Sequence, residues 1–145
     1  MDNIVFGRNF YILFSELEYR VTRFYMTQRK KVLIIDDEVD LCLLMKTYLT
    51  RKNYEVFYYH TLKEGISQVP SIKPDILFLD NNLPDGLGWE QTSYLLEKFP
   101  AMQLHLISAY HPNTPDLHSK SFKVWEKPIT LRDLENFMDD RRQII

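Results

Sequence analysis

The amino-acid sequence predicts an α/β protein: one doubly wound, parallel, five-stranded sheet with helices on both faces. Val32-Leu33-Ile34-Ile35, Ile76-Leu77-Phe78-Leu79, Leu104-His105-Leu106-Ile107 and, more weakly, Phe122-Lys123-Val124-Trp125 are short, near-continuous apolar runs. Such runs are the pattern of strands buried on both faces. Helical patterns alternate with them through short connections, as a layered α/β fold requires. A third observation concerns chemistry: the runs break off at Asp36-Asp37-Glu38, at Asp80, at Ser108 and just before Lys127-Pro128. Ligands of open α/β sheets bind outside the carboxyl ends of the strands. The fold therefore delivers carboxylates, a hydroxyl and an ammonium to one edge, the composition of a metal-and-phosphate site.

The elements follow in order. A first strand opens at Lys31 or Val32. Val39 to Arg51 reads as a helix, with Val39, Leu43, Leu44, Tyr48 and Leu49 near helical spacing, and Val56 to Tyr59 as the second strand. Thr61-Leu62-Lys63-Glu64 is a capping-box pattern opening a helix to about Val69, with Pro70 as its stop. The third strand ends at Asp80; Gly86 and Gly88 loosen the following loop; Trp89 to Phe99 forms the next helix, ended by Pro100. The fourth strand runs from about Gln103 to Ile107. Pro112 and Pro115 then leave room for at most a short fourth helix, with Thr114 as its cap and Pro115 in its first turn. The last strand is Phe122 to Trp125, and Thr130 caps a final helix to about Arg141, with Asp133 near its positive end.

Residues 1–29 stand outside this alternation. Phe10, Leu13, Phe14, Leu17, Val21 and Phe24 recur at helical spacing between Glu16, Glu18 and Arg20, an amphipathic pattern with an aromatic-rich face. Two readings stay open: a helix that packs on the domain, on a partner or on itself, or an extension ahead of a natural start near Met26. Residues 30–145 form the domain proper.

Composition bounds the function. The chain of 145 residues holds one domain with a full core. A net charge of −2 and a pI of about 6.1 give no global basic field for nucleic acid or an anionic membrane. The single cysteine, Cys42, excludes an internal disulfide and sits in the apolar stretch Leu41 to Leu44, where it reads as a small core residue. No run approaches the ~18 apolar residues of a membrane span, and the N-terminus lacks the basic and apolar regions of a secretory signal. A cytoplasmic location is expected.

At the strand ends, Asp37 and Asp80 become neighbours if the sheet has the flavodoxin-like order 2-1-3-4-5, where the first and third strands meet. Crowded carboxylates stay ionised together only beside a cation. Oxygen ligands without His or Cys select a hard ion, here Mg²⁺. Asp80 is then a nucleophile toward an activated phosphoryl group, Lys127 a second positive charge, and Ser108 a hydroxyl for a phosphoryl oxygen. Singly, each residue has a plainer reading: Asp36 or Asp37 as a helix cap, Asp80 as a turn residue, Lys127 as a surface lysine. Their joint placement at one edge carries the site.

With these residues in view, 30–140 resemble the receiver domain of two-component response regulators. Lys31-Val32-Leu33-Ile34-Ile35-Asp36-Asp37-Glu38 is similar to its opening acidic motif, and Lys73 to Gly88, centred on Asp80, to the segment around its phosphoacceptor. Ser108-Ala109 and Lys127-Pro128 match the remaining motifs in order. The resemblance implies that Asp80 accepts a phosphoryl group from a sensor histidine kinase or histidine phosphotransfer protein. It further implies that Asp36, Asp37, Asp80 and the backbone carbonyl of Asn82 bind Mg²⁺, and that Ser108 and Lys127 hold the phosphoryl oxygens. The switch would run through the loop after Ser108 to a downstream protein target.

Two departures qualify it. Family members usually carry a switching Tyr or Phe where this chain has Val124, and strand alternation points Trp125 to the opposite face. The Ser108–Lys127 stretch is shorter than usual, so the fourth helix and partner recognition should be altered while the phosphorylation chemistry is kept. Tyr110, two residues past Ser108, would shield the acyl phosphate from water. The sequence ends at Ile145, just after the last helix, so a stand-alone receiver, monomeric or weakly dimeric, is expected, with no catalysis beyond phosphorylation and dephosphorylation of its own aspartate. Two alternatives remain. A Mg²⁺-dependent aspartyl phosphohydrolase needs an acid two residues after its nucleophile, and Asn82 stands there. A constitutive adaptor with a vestigial site is opposed by Asp37, Asp80, Ser108 and Lys127 and favoured by Val124 and the short fourth-helix region.

Overall fold

The computed structural model describes residues 7–109 and 122–142. In chain order the elements are α1 (Gly7–Thr27), β1 (Lys31–Ile35), α2 (Val39–Arg51), β2 (Glu55–Tyr59), α3 (Leu62–Ile72), β3 (Ile76–Asp80), β4 (Asn82–Leu83), β5 (Gly86–Leu87), a 3₁₀ turn (Gly88–Gln91), α4 (Thr92–Lys98), β6 (Gln103–Ser108), β7 (Phe122–Glu126) and α5 (Leu131–Arg142). Five strands form one parallel sheet in the order β2-β1-β3-β6-β7, and β4 pairs antiparallel with β5 in a separate two-residue ribbon. With the ribbon set aside, this is the 2-1-3-4-5 order the sequence predicts.

Both faces of the sheet are covered, which is why the strands read as unbroken apolar runs. Val32, Ile34, Ile76 and Phe78 point into a core shared with Leu41, Cys42, Met45 and Leu49 of α2 and Leu134, Phe137 and Met138 of α5. Leu33, Ile35, Leu77 and Leu79 point the other way, onto Leu62, Val69 and Ile72 of α3 and Leu95 of α4. Trp125 belongs to the first core and Val124 packs against the second, as strand alternation requires. Cys42 is fully buried, in keeping with a core role.

Four local expectations need correction or qualification. α3 continues through Pro70 to Ile72. Pro70 lies in the last turn, so its missing N–H removes one helical bond, while the continued helix buries Val69 and Ile72. The helix stops at Lys73, whose left-handed backbone (φ 53°) returns its N–H to the Val69 carbonyl at 2.9 Å. On α2 the buried residues are Leu41, Cys42, Met45 and Leu49, whereas Val39 and Leu43 are exposed. The segment expected as one helix from Trp89 begins as the 3₁₀ turn and becomes α-helical only at Thr92. The expected shortened fourth helix, with Tyr110, Pro112, Thr114 and Pro115, lies outside the described residues.

The predicted caps form. Thr61 Oγ1 accepts the Glu64 N–H at 3.3 Å. At α5 the Thr130 N–H and hydroxyl both donate to Asp133 Oδ2, at 2.7 and 2.6 Å, while Thr130 Oγ1 accepts the Asp133 N–H at 3.3 Å. Along α1, Leu13, Leu17, Val21 and Phe24 are exposed. Among the described residues no helix is long and apolar enough to cross a membrane.

Candidate metal and phosphoryl site

Parallel pairing places the strand ends in register. Ile35 lies opposite Leu79, Asp80 opposite Ile107, and Ser108 opposite Glu126. Asp36 therefore leaves β1 beside the end of β3, and Lys127 follows β7 at the same edge, its N–H bonded to the Ser108 carbonyl at 2.8 Å. One carboxylate oxygen from each of Asp36, Asp37 and Asp80 falls within 4.8 Å of the others, with Asp36 and Asp80 buried and Asp37 exposed.

Lys127 crosses this cluster. Its Nζ lies 2.7 Å from Glu38 Oε1, 3.1 Å from Asp36 Oδ2 and 3.5 Å from Asp80 Oδ1. Asp36 Oδ1 accepts the Glu38 N–H at 2.8 Å, whereas the buried Asp36 Oδ2 accepts no hydrogen bond of good geometry. An all-oxygen donor set with an under-satisfied buried carboxylate oxygen fits a hard divalent cation.

Electrostatics agree. Burial, reinforced by the neighbouring Asp36 charge, pushes the Asp80 carboxyl up to about 6, against which Lys127 and a hydrogen bond from the Asn82 N–H pull down. Burial raises Asp36 as well. For Lys127, burial works against the ammonium, but hydrogen bonds to Glu38 and Asp36 and the charges of Asp36 and Asp80 outweigh it and hold the group above the usual lysine value.

The loop after Asp80 is fastened closely. Asn81 N–H donates to the Ile107 carbonyl at 2.8 Å, the Asn81 carbonyl accepts the Gly88 N–H at 2.9 Å, and its side-chain oxygen accepts the Trp89 N–H at 3.2 Å. A Cβ at Gly88 would overlap the Asp80 carbonyl oxygen, so only glycine lets this loop fold back onto the phosphoacceptor candidate. Asp85 reaches from the ribbon to cap α3 in trans, accepting the N–H groups of Leu62 and Lys63 at 2.7 and 2.8 Å.

The structure thus brings together Asp36, Asp37, Asp80 and Lys127. Ser108 sits buried at the end of β6, one residue past the partner of Asp80, and Asn82 is exposed at the start of the ribbon. Glu38, His60 and Asp85 are additions that sequence reasoning did not single out. His60 Nδ1 donates to the Asp36 carbonyl at 2.9 Å, and Glu38 meets a lysine 89 positions away. A carboxylate beside an acidic pair carries no sequence signal of that contact.

The chain is similar to known proteins in sequence and in fold. A family model described as the response regulator receiver domain matches residues 32–137. The KDP operon transcriptional regulatory protein KdpE of Escherichia coli K12 is 29% identical over 110 residues, covering 70% of this chain and 49% of that protein. Regulatory protein VanR of Enterococcus faecium is 40% identical over 58 residues, covering 40% of this chain and 25% of its own length. The chain thus spans at most about half the length of these two regulators. Response regulator protein TrrA of Thermotoga maritima, solved in complex with Mg(2+)-BeF, superposes with a TM-score of 0.66 at 24% identity, covering 77% of this chain and 97% of that one.

Proposed function

This chain belongs to the response regulator receiver domain family, and on that basis we propose that it is a Mg²⁺-dependent phosphoacceptor whose phosphorylation at Asp80 switches a protein–protein interaction. The observation that supports this most is the meeting of the Asp36, Asp37 and Asp80 carboxylates with the Lys127 ammonium at one sheet edge. The phosphoacceptor unit would be residues 30–145.

Asp36, Asp37, Asp80 and the Asn82 carbonyl would hold the ion. Bound there, Mg²⁺ would neutralise the repulsion between the Asp80 carboxylate and the incoming phosphoryl oxygens. An Asp80 oxygen forms the new O–P bond as the donor's P–N bond breaks, and the donor imidazole leaves with the bonding pair and takes a proton from solvent. Lys127 offers N–H donors to the equatorial oxygens and Ser108 a hydroxyl. The tight loop from Asn81 to Gly88 holds the Asp80 backbone so that the carboxylate is presented in one orientation. A histidine kinase or phosphotransfer protein is the proposed donor, and a downstream protein the proposed target.

Calorimetric titration with beryllofluoride, a phosphoryl mimic, tests the reading. Binding that requires both Mg²⁺ and Asp80, and is lost in Asp80→Asn, supports it. Binding indifferent to either contradicts it.

A further inference from the structure

We propose that Glu38 is a positioning residue that latches Lys127: it holds the ammonium in the unphosphorylated protein and must release it before Lys127 can engage phosphoryl oxygens on Asp80. The inference rests on the phosphoacceptor reading above and adds the step that limits how readily the site accepts the group.

A lysine ammonium has three N–H donors and no acceptor, and three carboxylates surround this one. The shortest contact, 2.7 Å, goes to Glu38, which stands outside the three-carboxylate cluster; the longest, 3.5 Å, goes to Asp80. At 3.5 Å from Asp80, the ammonium has to shift to close on oxygens arriving there, and the shift lengthens its contact to Asp36 or to Glu38. Asp36 is not the one to lose. Its side chain is fully buried, and stripping its counter-ion would strand an unpaired charge in the interior. The Glu38 side chain is 58% exposed and is resolvated on release, so parting costs what an exposed ion pair is worth.

The position of Glu38 supports this role. It stands at the N-cap of α2, where short side chains normally accept N–H groups of the first turn, yet its side chain makes no capping bond. Its backbone N–H is already committed to Asp36 Oδ1, which fixes the base of the side chain beside the lysine. The carboxylate that could have served the helix is instead spent across the sheet edge on the cation.

The test uses the full chain with saturating Mg²⁺ and compares wild type, Glu38→Gln, Glu38→Ser and Asp40→Asn. The serine variant releases Lys127 while giving α2 a better N-cap, which guards against a helix artefact. Asp40→Asn removes the same charge from the first turn of α2. Beryllofluoride affinity and the initial rate of phosphorylation from acetyl phosphate are measured, with Mg²⁺ affinity and melting temperature read in parallel. Both Glu38 variants are expected to bind beryllofluoride about 1.5- to fivefold more tightly and to phosphorylate faster by a similar factor, the range set by an exposed ion pair. Asp40→Asn should match wild type. Glu38 variants no tighter than wild type, or an equal gain in Asp40→Asn, would overturn the latch while leaving the phosphoacceptor reading intact. Wild type that takes no beryllofluoride at all removes both.

Discussion

Lys127 reaches Asp80 across one intervening strand: its Nζ, just beyond the end of β7, lies 3.5 Å from Oδ1 at the end of β3, with β6 between them. The same ammonium stands 3.1 Å from the fully buried side chain of Asp36 at the end of β1. One cation therefore ties together three of the five strand ends, and the candidate site is also a structural joint.

Lys127→Met should accordingly destabilise the fold, because it leaves buried Asp36 without its counter-ion. Removing one partner of such a pair costs about 3 kcal/mol. Chelator-treated wild type and variant compared by urea denaturation should show that loss, and most of it should return in the double variant Asp36→Asn/Lys127→Met. A single variant as stable as wild type would mean that the pair contributes nothing to folding.

Asp80 predicts the opposite sign. Its carboxyl is pushed up from 3.8 to about 6 in the folded protein. For a raised acid, the stabilising contribution is fully present below the unfolded value and is lost as pH rises through the folded one. At pH 7.5 without divalent cations the ionised side chain therefore costs on the order of 1–3 kcal/mol. Asp80→Asn should melt at higher temperature than wild type in chelator at pH 7.5, and the gap should shrink as pH is lowered from about 6 toward 3.8. A gap constant with pH would contradict the assignment.

Cys42 should be chemically silent. Burial, followed by the Asp36 charge, pushes its thiol up to about 12, and its Sγ lies 3.4 Å from the Asp36 carbonyl. Alkylation by iodoacetamide at pH 8 should be negligible in the native protein and rapid in denaturant. Rapid native labelling would show that the α2 face opens.

The α5 cap makes a pH prediction of its own. The Thr130 hydroxyl and amide hold the Asp133 carboxyl below the usual carboxylate range. A lowered acid contributes stability above its unfolded value and loses it as pH falls through the folded one. Thr130→Ala should cost about 1 kcal/mol at pH 7, with a smaller cost below the Asp133 titration. Thermal melts at neutral and acid pH would show the difference.

Much of this was legible in the sequence because burial on both faces leaves little ambiguity. Val32–Ile35 and Ile76–Leu79 sit in the middle of the sheet, and each ends at the carboxylate that matters. The Thr61 and Thr130 caps were readable because a cap is a local pattern. The face of α2 was not. Leu41, Cys42, Leu43, Leu44 and Met45 are consecutive apolar residues, and periodicity selects no stripe within such a run: Leu43, at helical spacing from Val39, lies exposed while Met45 is buried. Pro70 misled because its cost depends on how much helix follows it, a tertiary matter. The Glu38–Lys127 pair and the Asp85 cap on α3 join distant segments through polar residues, and no spacing rule announces such contacts.

Uptake of a phosphoryl group by Asp80 with Mg²⁺, as proposed, is read by intact-mass spectrometry after incubation with acetyl phosphate and Mg²⁺. Wild type should gain the mass of one phosphoryl group, with no gain in chelator and none in Asp80→Asn. A wild-type protein with no gain under these conditions, or an Asp80→Asn variant with the same gain, would contradict it.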